Sequence, residues 1–297
     1  MAVTLHIVGA GRAGRSLARL WADSGTLEIG QVVNRGIESA CSAVDFIGQG
    51  DAVGQLHAIS ADDWLMVAVP DGRLEAVVAG LAARNQSRPA LAFHISGAES
   101  AEVLRPLRCP IASVHPVCPF SDPARALELF AGSYALGEGD DNALDRLLPA
   151  FAAIGAEAMR FRPVDKRRYH AATIAASNFL NVLDDLALGL AESAGLAPDQ
   201  ALKVIVALQR AGLANIERVG PVQALTGPIE RGDRDMCERL ARTPGVSGDE
   251  LFMALARATV ALADRKHRGP SEYCENPLQE LFCDPGMVRT GGRNGGV

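Results

Sequence analysis

Three glycines stand at positions 9, 11 and 14, directly after the apolar run VTLHIV at 3–8. An apolar strand that turns through G-x-G-x-x-G into a helix is an anion cradle. The first glycine allows the tight bend, the second lets the backbone approach a pyrophosphate, and the third lets helix and strand pack closely. The unpaired N–H groups and positive dipole end of the helix then face the phosphates. Gly9, Ala10, Gly11, Arg12, Ala13 and Gly14 are therefore candidate dinucleotide ligands, with an amphipathic helix expected from near Arg15. The next strand-like run, EIGQVV, ends in Asn34–Arg35 rather than in the carboxylate that commonly holds a ribose 2′-hydroxyl. A guanidinium there can pair with a 2′-phosphate in forked geometry, which favours NADP over NAD. The plainer alternative for Arg35 is a solvated loop residue.

A second group of residues could move protons. His115 follows a run expected to be a strand, and Pro116 holds the backbone there extended. His170 opens a polar stripe with Ser177, Asn181 and Asp184, all within about 60° of one another on a helical projection, flanked by Thr173 and Asn178. His, Ser and Asn are short hydrogen-bonding groups suited to holding a substrate, whereas a stabilising solvent face more often carries Lys–Glu pairs. Each histidine has the alternative of a structural bond to a backbone carbonyl. His94, flanked by apolar residues, is expected inside the sheet. Arg231, between Gly227 and Gly232, is a candidate clamp for a carboxylate, while nearby Asp233 is expected to cap the following helix. Lys166 could supply an ammonium, but the run DKRR reads as a solvated helix start and ranks it below His170.

The elements that must position these groups change character along the chain. Up to about residue 162, short apolar runs alternate with helical segments: 64–70, 90–96, 111–116, 133–138 and 157–162 follow the first two strands. Such alternation predicts a mostly parallel α/β sheet covered by helices, with ligands at the carboxyl ends of its strands. Pro70–Asp71, Ser96–Gly97 and His115–Pro116 are the residues at those ends, and Val69, Pro70, Ser96 and Gly97 are further candidates for the cofactor site. From Asp165 the periodicity predicts long helices over 165–194, 198–218, 232–242 and 248–267. The expected organisation is thus a Rossmann domain over 1–162, an all-α domain over 163–267 and a partly disordered extension over 268–297.

Composition narrows the class. The chain has 297 residues, 48% hydrophobic, and a formal charge of −6, which argues against nucleic acid or an anionic membrane as partner. Six scattered cysteines without a C-x-x-C pair indicate neither a disulfide framework nor a metal site. With a strand expected within three residues of the start and no uninterrupted apolar run of membrane length, the cytoplasm is the expected location.

The motifs GAGRAG (9–14), VVNR (32–35), AVPD (68–71), HISG (94–97), SVHPVCPF (113–120), YHAATIAASNFL (169–180) and LTGPIERGD (225–233) together resemble a family of bacterial Rossmann-like oxidoreductases. The carboxyl-terminal half of that family is a domain of unknown function. It is similar in architecture to pyrroline-5-carboxylate reductases, ketopantoate reductases and the 6-phosphogluconate dehydrogenase group. The resemblance implies an NADP cofactor, a helical second domain and a homodimer formed through it. It also implies hydride transfer to a small carbonyl or imine acid, with the site in the cleft between domains. A His-Pro step after a Rossmann strand also resembles prephenate and arogenate dehydrogenases. A redox sensor or scaffold that binds NADP without turnover, and a deazaflavin-dependent enzyme, are the other readings.

Overall fold

A computed structural model describes residues 3–84, 88–268, 278 and 280–282. The chain forms two compact units, 1–179 and 180–297. The first holds strands β1 (Val3–Val8), β2 (Leu27–Val33), β3 (Asp51–Val53), β4 (Trp64–Val67), β5 (Leu91–His94), β6 (Ile111–Val117), β7 (Tyr134–Gly139) and β8 (Glu157–Arg160). They make one sheet in the order β3-β2-β1-β4-β5-β6-β7-β8, parallel throughout except between β6 and β7. The strand order reverses between β1 and β4, the switch point at which open α/β sheets bind ligands.

Helices α1 (Arg12–Ser24), α2 (Ile37–Ile47), α3 (Asp71–Arg84), α4 (Pro123–Leu129) and α5 (Asp141–Ala153) cover the sheet, with a 3-10 helix over Ala101–Leu107. The central strands are apolar on both faces because helices cover both, and every residue of β4 and β5 is buried. Trp21 of α1, Phe93 of β5 and Phe151 of α5 meet edge to face, their centroids 5.1–6.3 Å apart. The Trp21 indole N–H donates to the Ala150 carbonyl at 2.9 Å, so the largest core side chain also leaves no buried donor unpaired.

Two details differ from the sequence reading. Helix α1 starts at Arg12, not near Arg15, because the Arg15 N–H already makes the first helical bond, to the Gly11 carbonyl at 2.9 Å. The three-residue β3 is too short to show an apolar period, and only its pairing with β2 defines it.

Four helices follow: α6 (Lys166–Ser193), α7 (Pro198–Ala224), α8 (Arg234–Ala241) and α9 (Glu250–Arg268). Helix α7 outruns its expected end at 218 and is kinked at Gly220, where φ is +76° ahead of Pro221. Among the described residues, α6 is the one helix long and apolar enough to cross a membrane by length and composition. In the second unit, Cys237 of α8 and Met253, Ala256 and Val260 of α9 close on Leu278 and Phe282. Part of the expected carboxyl-terminal extension is therefore core. The glycine-rich tail from 284 on lies outside the described residues.

Gly9 makes a tight turn at the end of β1. It has φ +94°, and a Cβ there would lie 2.6 Å from Val69 Cγ1 and 2.8 Å from the Ala68 carbonyl. Gly9→Ala should lower stability by about 2 kcal/mol or more in urea unfolding. A loss below 0.5 kcal/mol would show that the turn relaxes freely.

Candidate functional site

Two clusters share the carboxyl edge of the sheet. The first is the glycine turn. Gly9 donates its N–H to the Val33 carbonyl at 2.8 Å, tying the turn to the end of β2, and Gly14 packs on Gly9 and Ala68. Gly11 is exposed, and a Cβ built on it would meet nothing within 4 Å. Gly11 also caps α1 without any side-chain bond, so the first-turn N–H groups of Arg12, Ala13 and Gly14 have no side-chain acceptor. An open glycine beside uncapped amides fits a pyrophosphate.

Asn34 braces this turn. Its Oδ1 accepts the Ala10 N–H at 2.7 Å, and its Nδ2 donates to the Ser39 carbonyl and Oγ at 2.9 and 3.1 Å. Arg35 is exposed, without an ion pair among the described residues, and Arg12 reaches only the Ser121 carbonyl at 3.3 Å. Val69 is half-buried against Gly9, and Pro70, exposed, leads into α3.

The second cluster gathers around Lys166, which the sequence reading took for a solvated helix start. Lys166 is instead 8% exposed. Its ammonium donates to the Ser96 carbonyl at 2.9 Å and makes closer bonds to the Glu99 carbonyl and Ser113 Oγ. It also pairs with Glu138 Oε1 at 3.3 Å. Neighbouring Asp165, Arg167 and Arg168 are exposed, so one residue of the charged run turns inward and the rest are solvated. Burial pulls the Lys166 pKa down, and Glu138 opposes that shift. Ser96 is spent on this knot: its Oγ accepts the Ala98 and Glu99 N–H groups at 3.1 and 2.9 Å.

One turn beyond Lys166, α6 delivers Tyr169 and His170 to the same edge. The Tyr169 hydroxyl lies 2.8 Å from His115 Nδ1, with the rings edge to face. The His115 and His170 rings are 6.3 Å apart. Both press on Gly97, where a Cβ would fall 2.8 Å from His170 Nδ1 and 3.0 Å from His115 Nε2. His170 Nδ1 is buried with no hydrogen-bond partner. Burial, the Lys166 ammonium and His170 push His115 down to about 4, and Asp71 opposes them. His94 is fully buried between the Ser96 N–H and the Ser100 carbonyl, as its sequence context indicated.

The rest of the polar stripe does not join this cluster by any described bond. Ser177 and Asn178 are exposed, Ser177 Oγ returning to the Thr173 carbonyl at 2.7 Å and to Asn178 Oδ1 at 3.0 Å. Asn181 is exposed, and Asp184 accepts a hydrogen bond from Gln209 of α7. Arg231 is exposed in its loop, and Asp233 caps α8 through the Met236 N–H at 3.1 Å. Sequence reasoning missed Tyr169. Its adjacency to His170 was visible, but nothing local shows it facing His115, 54 residues earlier.

Neutral buried histidines make stability depend on pH. Between pH 6.5 and about 4 the unfolded chain binds protons at His94 and His115 that the folded protein refuses. Stability should therefore fall as pH drops through that window, by up to about 1.4 kcal/mol per unit for each histidine. Urea midpoints of the protein and of His115→Gln across pH 7 to 4.5 should differ in slope by about one proton. Parallel curves would show that His115 titrates normally.

Residues 2–116 match the Rossmann-like domain family, and residues 133–259 match the domain of unknown function DUF2520. No curated protein matches the chain. Among solved structures, protein TM1727 from Thermotoga maritima is 26% identical with a TM-score of 0.68, over 89% of this chain and all of that one. BF3122 from Bacteroides fragilis, assigned as an NADP oxidoreductase, is 20% identical with a TM-score of 0.70, over 90% of this chain and 98% of its own. Pyrroline-5-carboxylate reductase from Coxiella burnetii is 16% identical with a TM-score of 0.57, over 90% of this chain and 99% of its own. The chain thus carries a match to a Rossmann-like domain followed by a match to DUF2520.

Proposed function

We propose that this protein is an NADP-dependent oxidoreductase that transfers hydride between NADPH and a small carbonyl or imine acid. The observation that carries this reading is the shared sheet edge. An open, uncapped glycine turn lies at the β1–β4 switch point, and a protonatable His–Tyr–His cluster lies at the ends of β5 and β6. Asp71, at the start of α3 beyond β4, acts electrostatically on His115, so the two clusters are neighbours within one unit. Gly11 and the first-turn amides of α1 would hold the pyrophosphate, and Arg35 the 2′-phosphate. NADPH supplies the hydride when bound. The chain's own residues would supply the rest: the glycine turn would hold the pyrophosphate, and His115 would handle a proton at the reacting oxygen or nitrogen. An NADP oxidoreductase, an imine-acid reductase and a reductive aminase from Aspergillus terreus solved with NADPH share the fold, which supports the same class.

Calorimetric titration tests the cofactor. NADPH should bind more tightly than NADH, and Arg35→Ala should weaken NADPH about 10-fold, or about 1.4 kcal/mol, while leaving NADH nearly unchanged. If neither nucleotide binds, the oxidoreductase assignment fails.

The protein is also proposed to be a homodimer through its helical unit. Helix α7 runs 27 residues, yet Ala201 is its one buried residue. Leu202, Val204, Leu208 and Leu213 are more than half exposed. An apolar helix this bare in a single chain calls for a partner surface, and a second copy supplies one. Leu208→Glu should convert a dimer to monomer in sedimentation velocity; a wild-type monomer at micromolar concentration would refute the proposal.

A further inference from the structure

We infer that Tyr169 acts through His115: its phenol donates to Nδ1 and so holds the imidazole as the neutral tautomer whose proton sits on Nε2, the N–H offered to the substrate. This rests on the oxidoreductase reading and adds to it the residue that sets its proton donor.

The direction of the hydrogen bond follows from the groups present. At 2.8 Å, either the phenol donates to Nδ1 or Nδ1–H donates to the phenol oxygen. Tyr169 has no other described side-chain acceptor, so the second arrangement would leave its O–H unpaired in a half-buried setting. An imidazole nitrogen is also the better acceptor of the two. Burial raises the Tyr169 pKa, which keeps the phenol protonated, and the buried Lys166 ammonium works against a charge on His115. The titratable and charged groups facing His115 are Lys166, Tyr169 and His170 from α6 and Asp71 from α3; only Asp71 favours the imidazolium. His170 is no substitute partner, because its Nδ1 is sealed against Gly97.

The proton balance then closes without an imidazolium. NADPH, when bound, would supply the hydride to the carbonyl carbon, and the carbonyl oxygen would then need a proton. That oxygen takes the proton from His115 Nε2. As Nε2 releases it, Nδ1 takes the phenol proton; after the product leaves, Nε2 takes a proton from water and Nδ1 returns its own to the phenolate, which restores both groups.

This arrangement has a signature that a charged histidine would not give. With an imidazolium donor, the reductive rate falls as pH rises through the pKa of the imidazole. With the phenol-backed neutral donor, the rate stays level to about pH 9. The experiment uses the full chain with NADPH and, as probes, pyrroline-5-carboxylate and small 2-keto acids. Tyr169→Phe should lower kcat about 100-fold, change KM less than threefold and leave NADPH affinity intact. Its residual rate should decline with rising pH, because an imidazole without the phenol behind it donates best when protonated. Long-range ¹H–¹⁵N spectra, assigned with His115→Gln, give a readout independent of turnover. At pH 7 the protein should show His115 protonated on Nε2 alone, and Tyr169→Phe should show a mixture of tautomers. A proton on Nδ1, or an imidazolium, overturns the role of Tyr169 even if NADPH binds. The Nε2 tautomer in a protein that binds neither nucleotide instead overturns the oxidoreductase reading.

Discussion

An ammonium ion taken out of water must find its full set of acceptors or not be buried at all, and the Lys166 ammonium sits where four elements meet. It gathers the Ser96 and Glu99 carbonyls from the loop after β5, Ser113 from β6 and Glu138 from β7. Removing one member would strand the others, at a cost of about 3–5 kcal/mol for a buried pair. The knot therefore has one geometry, and it fixes the first turn of α6 against the sheet. Tyr169 and His170 follow at i+3 and i+4, on the same helical face as Lys166, so their places over His115 and Gly97 are set by the same bonds. The fixed positive charge has a second effect. Burial is the main reason that His94 and His115 stay uncharged, and this ammonium adds to it.

The other end of the sheet edge is organised by backbone rather than by charge. Gly9 is pressed between β1 and Ala68–Val69, where no side chain fits, while Gly11, two residues on, faces open space. The contrast separates two jobs that the glycine motif combines. One glycine brings β1 and β4 together, and the other leaves the amides of α1 accessible. Asn34 joins the jobs by bonding the Ala10 N–H from the end of β2. Its amide is thereby committed to the turn, which leaves Arg35 as the exposed charge of that pair.

What was legible in the sequence was local. The glycine turn, the alternation of strands with helices and the cap at Asp233 depend on neighbouring residues, and the structure has all three. The shared edge of the sheet followed from parallel topology, which places Val69, Ser96 and His115 at one end. Lys166 was misread because its immediate neighbours are solvated charges, while its acceptors lie 28 to 70 residues away. Nothing in DKRR distinguishes the residue that turns inward. Tyr169 was passed over for the same reason. Helices α6 and α7 were readable as helices because propensity is local, whereas which of their faces is buried depends on distant residues.

The charges of the sheet edge divide into buried and exposed sets with different work. Inside, the Lys166 ammonium and Glu138 carboxylate offset each other, and His94 and His115 are neutral. Outside, Arg12 and Arg35 stand in solvent beside the glycine turn. A phosphate-bearing ligand is best met by exposed guanidiniums, whose desolvation on binding is modest, whereas a proton handed on in a dry interior is best moved between neutral groups. An imidazolium at His115 would meet repulsion from the Lys166 ammonium, the more so as water is excluded. A phenol backing a neutral imidazole avoids it, because the proton leaves one neutral group as the next replaces it. On this account, the lysine that pins α6 also adds to the burial that makes His115 of β6 a neutral proton donor.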